Sequence, residues 1–146
     1  MAAELIPLAP GLSVAGGLDR ADIGALAKAG VRTIVNNRPD GEDPGQLPAA
    51  EAKRLAEAHG LAYHHIPITA ASLTRADVDD FAATLRDAAA PVVAHCRSGT
   101  RSTLLWALTR LRDGADPLGL VAEAARHGID IAALPAVAAR LRQRGR

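Results

Sequence analysis

The sequence predicts an α/β sandwich, a largely parallel sheet with helices on both faces. Three observations predict it. Short runs of β-branched and apolar residues, 31–35 and 92–94, alternate with amphipathic stretches along the chain. Glycines stand where those stretches end, as helix terminators do. The segments leaving two of the strands, 36–45 and 96–101, concentrate polar and charged residues. Sheets of this kind bind ligands at the carboxyl ends of their strands, which places both segments on one edge.

Taken in order, residues 1–17 are rich in Pro, Gly and Ala, and only Leu12-Ser13-Val14-Ala15 has the makings of a short strand, expected at an edge. Asp19 suits the cap of a helix reaching Ala29, with Ile23, Leu26 and Ala27 on one face and Gly30 as terminator. Residues 31–35 form the next strand, and the turn formers of 36–45 a surface loop. A helix over 48–59 ends at Gly60, and a strand over 61–68 stops at Pro67 or lies near an edge. Thr74-Arg75-Ala76-Asp77 reads as a capping box with Asp in place of Glu, opening a helix to Ala89 that buries Val78, Phe81, Ala82 and Leu85. Pro91 breaks it before the central strand. Helices over 101–113, 117–126 and 130–144 complete the chain, with Pro135 expected to bend the last and the arginines at 140, 142, 144 and 146 expected to form its solvated end. The reading is one domain over 1–146, with its globular part from about 12 to 144.

Composition narrows the function. Net charge is +1, and the chain holds one each of Phe, Trp and Tyr, so there is neither the basic stripe nor the stacking platform of a nucleic-acid binder. No apolar run approaches the ~20 residues of a membrane span, and the start lacks the basic residues and long apolar core of a secretory signal, so the expected compartment is the cytoplasm. A single cysteine excludes an intramolecular disulfide and a multi-cysteine zinc site, and leaves no resolving thiol in the chain. No metal or cofactor is expected.

That cysteine lies in Val92-Val93-Ala94-His95-Cys96-Arg97-Ser98-Gly99-Thr100-Arg101-Ser102, which reads as strand, anion-binding loop and helix. The strand delivers Cys96 to the sheet edge. Successive N–H groups of Ser98, Gly99 and Thr100 curl around an anion, and the helix adds its positive end. Amides, helix terminus and Arg101 together form the setting that lowers a thiol pKa, which makes Cys96 the expected nucleophile. Arg101 is expected to hold the anion, with Arg97 adding positive charge. Arg38, from the loop on the same edge, is expected to extend the site, although a salt bridge with Asp40 or Glu42 accounts for it equally. Ser102 is expected to cap the helix or to bond near the thiolate, and His95 to support the loop indirectly. Asn36 and Asn37 are expected to tie loops together through the backbone. Asp40 could reach the site, but a Pro-Asp-Gly turn explains it without catalysis.

The spacing His95-Cys96, four residues, Arg101-Ser102 resembles two families of cysteine enzymes. Cysteine-dependent protein phosphatases carry one residue more in this loop, whereas single-domain rhodanese sulfurtransferases commonly carry a shorter loop much like this one. Together with Val31-Arg32-Thr33-Ile34-Val35-Asn36-Asn37-Arg38-Pro39-Asp40-Gly41-Glu42 and Tyr63-His64-His65-Ile66-Pro67-Ile68, the loop is similar to the phosphatase-like domain of the beta-lactamase-hydrolase-like proteins, over roughly residues 12–131. The resemblance implies a dual-specificity/tyrosine-phosphatase-like three-layer sandwich and an activity described as phosphatase or sulfurtransferase. Bacterial members also occur attached to, or alongside, persulfide-oxidising enzymes of the metallo-beta-lactamase fold.

Dual-specificity phosphatases usually place a proton-donating aspartate shortly after a strand like 63–68; here that stretch is Thr69-Ala70-Ala71-Ser72-Leu73, without a carboxylate. A positioned acid is worth ~10²–10⁴-fold, so the expectation is sulfur transfer. In that reading Cys96 takes sulfane sulfur from a small anionic donor such as thiosulfate or a persulfide and passes it to an external thiol. The alternative is a phosphatase acting on phosphate esters through a Cys96 phosphoenzyme. A third is a non-catalytic anion-binding partner of a persulfide dioxygenase.

Overall fold

A computed structural model describes residues 3–144. Five strands form one sheet in the order β1 (Ile6–Ala9), β2 (Leu12–Ala15), β5 (Val92–His95), β3 (Thr33–Asn36), β4 (Ala62–His65). Only β1 runs antiparallel; the β2–β5, β5–β3 and β3–β4 pairs are parallel. The helices are α1 (Arg20–Lys28), α2 (Ala49–Ala58), α3 (Arg75–Asp87), α4 (Thr100–Arg112), α5 (Pro117–Arg126) and α6 (Leu134–Arg144).

Strand alternation divides the core in two, because successive side chains point to opposite faces. Val14, Val35, Val92 and Ala94 pack with Phe81 of α3, Leu105 of α4, Leu120 of α5 and Leu134 of α6. Ala15, Ile34 and Val93 face the other way, onto Ile23 and Leu26 of α1 and Ala52 and Ala56 of α2. The result is the three-layer sandwich, with β5 buried throughout at its centre. Trp106 is a core residue.

Helix starts follow their capping residues. Asp19 accepts from the Asp22 N–H and Asp22 accepts from the Asp19 N–H; Thr74 and Asp77 repeat the arrangement at α3. Thr74→Ala should therefore cost about 1 kcal/mol in chemical denaturation, with little effect on the active-site end of the sheet.

Three expectations are corrected. Residues 6–9 are a strand despite Pro7, so the globular part begins before Leu12, and Leu12–Ala15 is an inner strand rather than the edge. Pro7 is tolerated because an outermost strand does not require every N–H. The last helix starts at Leu134, not Asp130, which instead accepts a hydrogen bond from the Ala132 N–H. Pro135 consequently lies in the first turn, where its missing N–H costs nothing, and does not bend the helix. Finally, Arg140, expected to be solvated with Arg142 and Arg144, donates to the Ala70 and Leu73 carbonyls; Arg146 lies outside the described residues.

Candidate active site

Cys96 follows β5 directly and is fully buried. Its Sγ accepts the Gly99 N–H at 3.0 Å, a bond that a thiolate accepts more strongly than a thiol. The loop closes this tightly because Gly99 adopts φ +93°, a left-handed conformation open to glycine, immediately before α4 begins. Beneath it runs the end of β2. The Cys96 N–H reaches the Ala15 carbonyl, the Gly17 N–H the Arg97 carbonyl, and a Cβ at Gly16 would stand 3.1 Å from that same carbonyl. The Gly16-Gly17 pair was not singled out from the sequence, although two glycines at the end of a strand are a signal of close backbone approach.

Arg101, in the first turn of α4, is held from two sides. Nη1 and Nη2 donate to the two carboxylate oxygens of Glu42, each at 2.8 Å, and Nη1 also donates to the Ile68 carbonyl at 3.0 Å. Three of its five donor hydrogens are thus engaged. The Nε edge remains, and the Cys96 sulfur is among the groups near enough to raise the arginine's pKa, after the larger effect of Glu42. Two parallel donors beside a buried sulfur suit two oxygens of one anion.

Glu42 is a residue that the sequence offered only as a possible partner of Arg38. The hydrogen bond from Arg101 is the main cause that lowers its pKa to about 2, with Arg38 contributing. It is therefore a fixed negative charge and not a proton donor. A depressed folded-state pKa adds stability that is present above about 4.5 and lost as pH falls toward about 2. Urea titrations across that window should show the wild-type advantage over Glu42→Gln shrinking as the pH drops.

Arg38 is buried, and its guanidinium meets two carboxylates: Nε donates to Glu42 at 3.0 Å and Nη2 to Asp43 at 2.5 Å. It therefore braces the loop rather than presenting a bare cation, and its partners are Glu42 and Asp43, not Asp40. Asp43 also meets Arg97 at 3.2 Å, and Arg97 is largely exposed at the rim. Ser98 and Thr100 bond each other through their hydroxyls.

Ser102 is corrected in the same way: it is buried and donates to Asn37 Oδ1 at 2.8 Å, tying α4 to the loop after β3 instead of capping the helix or bonding the thiolate. Asn37, itself buried, donates to the Ile66 carbonyl. Asn36 accepts the Arg38 N–H and donates to the Tyr63 hydroxyl. Residues 36–38, expected on the surface with the rest of their loop, are buried because these bonds continue the sheet beyond its last strand pair. Asp40 accepts the Ala49 N–H at the start of α2, which removes it from the site. Burial is the main cause that lowers the pKa of His95 to about 4, so this residue stays neutral beside the loop it supports. Among the described residues there is no group of three or more His, Cys, Asp or Glu placed to hold a metal, and no helix long and apolar enough to cross a membrane.

The model of the beta-lactamase hydrolase-like protein, phosphatase-like domain family matches residues 4–112, which include every element of this site. The chain belongs to that family. The match starts before the residues that carried the resemblance and stops where α4 ends, ahead of α5 and α6. The beta-lactamase hydrolase-like protein of Agrobacterium fabrum is 37% identical over 123 residues, 84% of this chain and 28% of the relative. Its counterpart from Xylella fastidiosa is 41% identical over 61% of this chain and 21% of the relative. The chain thus spans about a quarter of the length of these curated relatives. Among solved structures, a candidate phosphatase from Neisseria meningitidis superposes with a TM-score of 0.78 at 32% identity, covering 87% of this chain and 91% of that one. The fold is that of the tyrosine and dual-specificity phosphatases, and phosphatase-like is the description carried by the matching family and by this solved structure.

Proposed function

We propose that this domain is a cysteine-dependent phosphatase. Cys96 attacks phosphorus, the loop amides and the Nε edge of Arg101 hold the non-bridging oxygens, and water then hydrolyses the phosphocysteine. The observation that supports this most directly is the pinning of Arg101 by Glu42 and Ile68, which orients two donors at the sulfur before any ligand arrives. Such preorganisation is what electrostatic stabilisation of a transferring phosphoryl group requires. The expectation of sulfur transfer as the main activity gives way on the strength of family and fold. It is kept as a second reading because of one observation: Glu42, the carboxylate on Arg101, is ionised and cannot donate a proton, and a persulfide donor needs none. In that reading an external thiol accepts the sulfur, and a persulfide dioxygenase of the metallo-beta-lactamase fold is the partner. Either chemistry needs a reduced cysteine, which suits the cytoplasm.

Intact mass spectrometry after quenching separates the two. Incubation with an aryl phosphate should leave a phosphoryl adduct on Cys96, and incubation with thiosulfate or glutathione persulfide should leave the protein unchanged. A single-sulfur adduct with no phosphoryl adduct from any phosphate would replace the first reading with the second.

A further inference from the structure

The carboxylates at this end of the molecule are all engaged, and what they are engaged in limits the substrate. Asp40 caps α2, Glu42 is ionised on Arg101 and Arg38, and Asp43 bridges Arg38 and Arg97. After β4, where an acid would stand, Thr69 and Ser72 bond each other in a hydroxyl knot, and Asp77 closes the α3 capping box with Thr74. The neutral His95 is buried, and the His65 ring nitrogen contacts the Arg38 carbonyl. Among these described residues, no carboxylic acid is left to protonate a departing alkoxide. The site also offers no aromatic wall, since Tyr63, Phe81 and Trp106, the chain's full set of aromatic residues, are all buried. The exposed charged side chain of the loop is a cation, Arg97, which retains 63% of its accessibility and is held by a half-exposed carboxylate.

Resting on the phosphatase reading, we infer that the substrate is a phosphoric anhydride, either an acyl phosphate or a phosphoanhydride, rather than an alkyl or phosphotyrosyl ester. The Cys96 thiolate forms the S–P bond as the bridging P–O bond breaks. The electron pair leaves on a carboxylate or phosphate oxygen that is stable as an anion and needs no proton. Arg97 meets that charge at the rim, releasing Asp43. Water then forms a P–O bond, the S–P bond breaks, and its proton goes to the phosphate product, restoring the thiolate.

The test uses the whole chain with acetyl phosphate, inorganic pyrophosphate, O-phosphoserine and a series of substituted phenyl phosphates. Acetyl phosphate and pyrophosphate should exceed O-phosphoserine in kcat/KM by ~10²-fold or more, and the phenyl series should rise steeply as the leaving phenol becomes more acidic. Arg97→Ala should slow the two anhydrides by a clearly larger factor than it slows the phenyl phosphates. A level phenyl series, O-phosphoserine turned over as fast as acetyl phosphate, or Arg97→Ala slowing all substrates alike would overturn the inference while leaving a phosphatase. Absence of both phosphate release and phosphocysteine with every compound is the separate outcome that removes the phosphatase reading itself.

Discussion

A Cys96→Ser protein will lose turnover of activated phosphates by about 10⁴-fold or more and will form no phosphoenzyme. The reason is chemical rather than structural. Serine at this position still offers an oxygen to the Gly99 N–H and still fits a fully buried site, so the fold is expected to persist. What disappears is a sulfur nucleophile, intrinsically far more reactive than a serine hydroxyl. Steady-state rates beside a thermal melt check this. A folded variant with wild-type kcat would show that Cys96 is a buried core residue and that the cradle works without it.

Arg101→Lys will reduce kcat/KM by about 10²–10³-fold and weaken competitive inhibition by inorganic phosphate. An ammonium cannot donate to Glu42 and the Ile68 carbonyl while also presenting two parallel donors to the anion, as the guanidinium does. Glu42→Gln should reduce kcat/KM in the same direction by a smaller factor, because it loosens the arginine without removing it. The double variant should be little worse than Arg101→Lys alone, since the two residues act through one contact. Additive losses in that cycle would mean that Glu42 serves the reaction by another route. A rise in phosphate affinity on Glu42→Gln would mean that this carboxylate competes with the ligand for Arg101.

Much of the site was legible one residue at a time. The run Val92-Val93-Ala94 before Cys96, the glycine at 99 and the arginine at 101 announce a strand, a tight amide loop and a helix start, and each is a local matter of propensity, backbone freedom and spacing. The same locality explains why the caps at Asp19 and Thr74 were readable. Ser102 was misread, and Arg38 read only in part, since Glu42 was among its offered partners, for the opposite reason. Both lie where an anion ligand is reasonable, and both are engaged by partners that the local pattern does not name: Asn37 from 65 positions away for Ser102, and Asp43 beside Glu42 for Arg38. Asp40 and Glu42 are near neighbours in one charged loop, and nothing in their spacing says that the first caps a helix and the second holds the arginine of the cysteine loop.

By itself, therefore, the sequence determined the nucleophile loop, the alternation of strands and helices, and the absence of an acid in residues 69–73. These depend on dihedral preference and on residues within a turn of one another. Tertiary structure alone decided which charges neutralise which. Glu42 meets Arg101 across 59 positions because the parallel β5–β3 pairing sets their loops side by side. That pairing leaves three arginines and two carboxylates around one buried sulfur, and with it a site rich in fixed charge and without a proton to give.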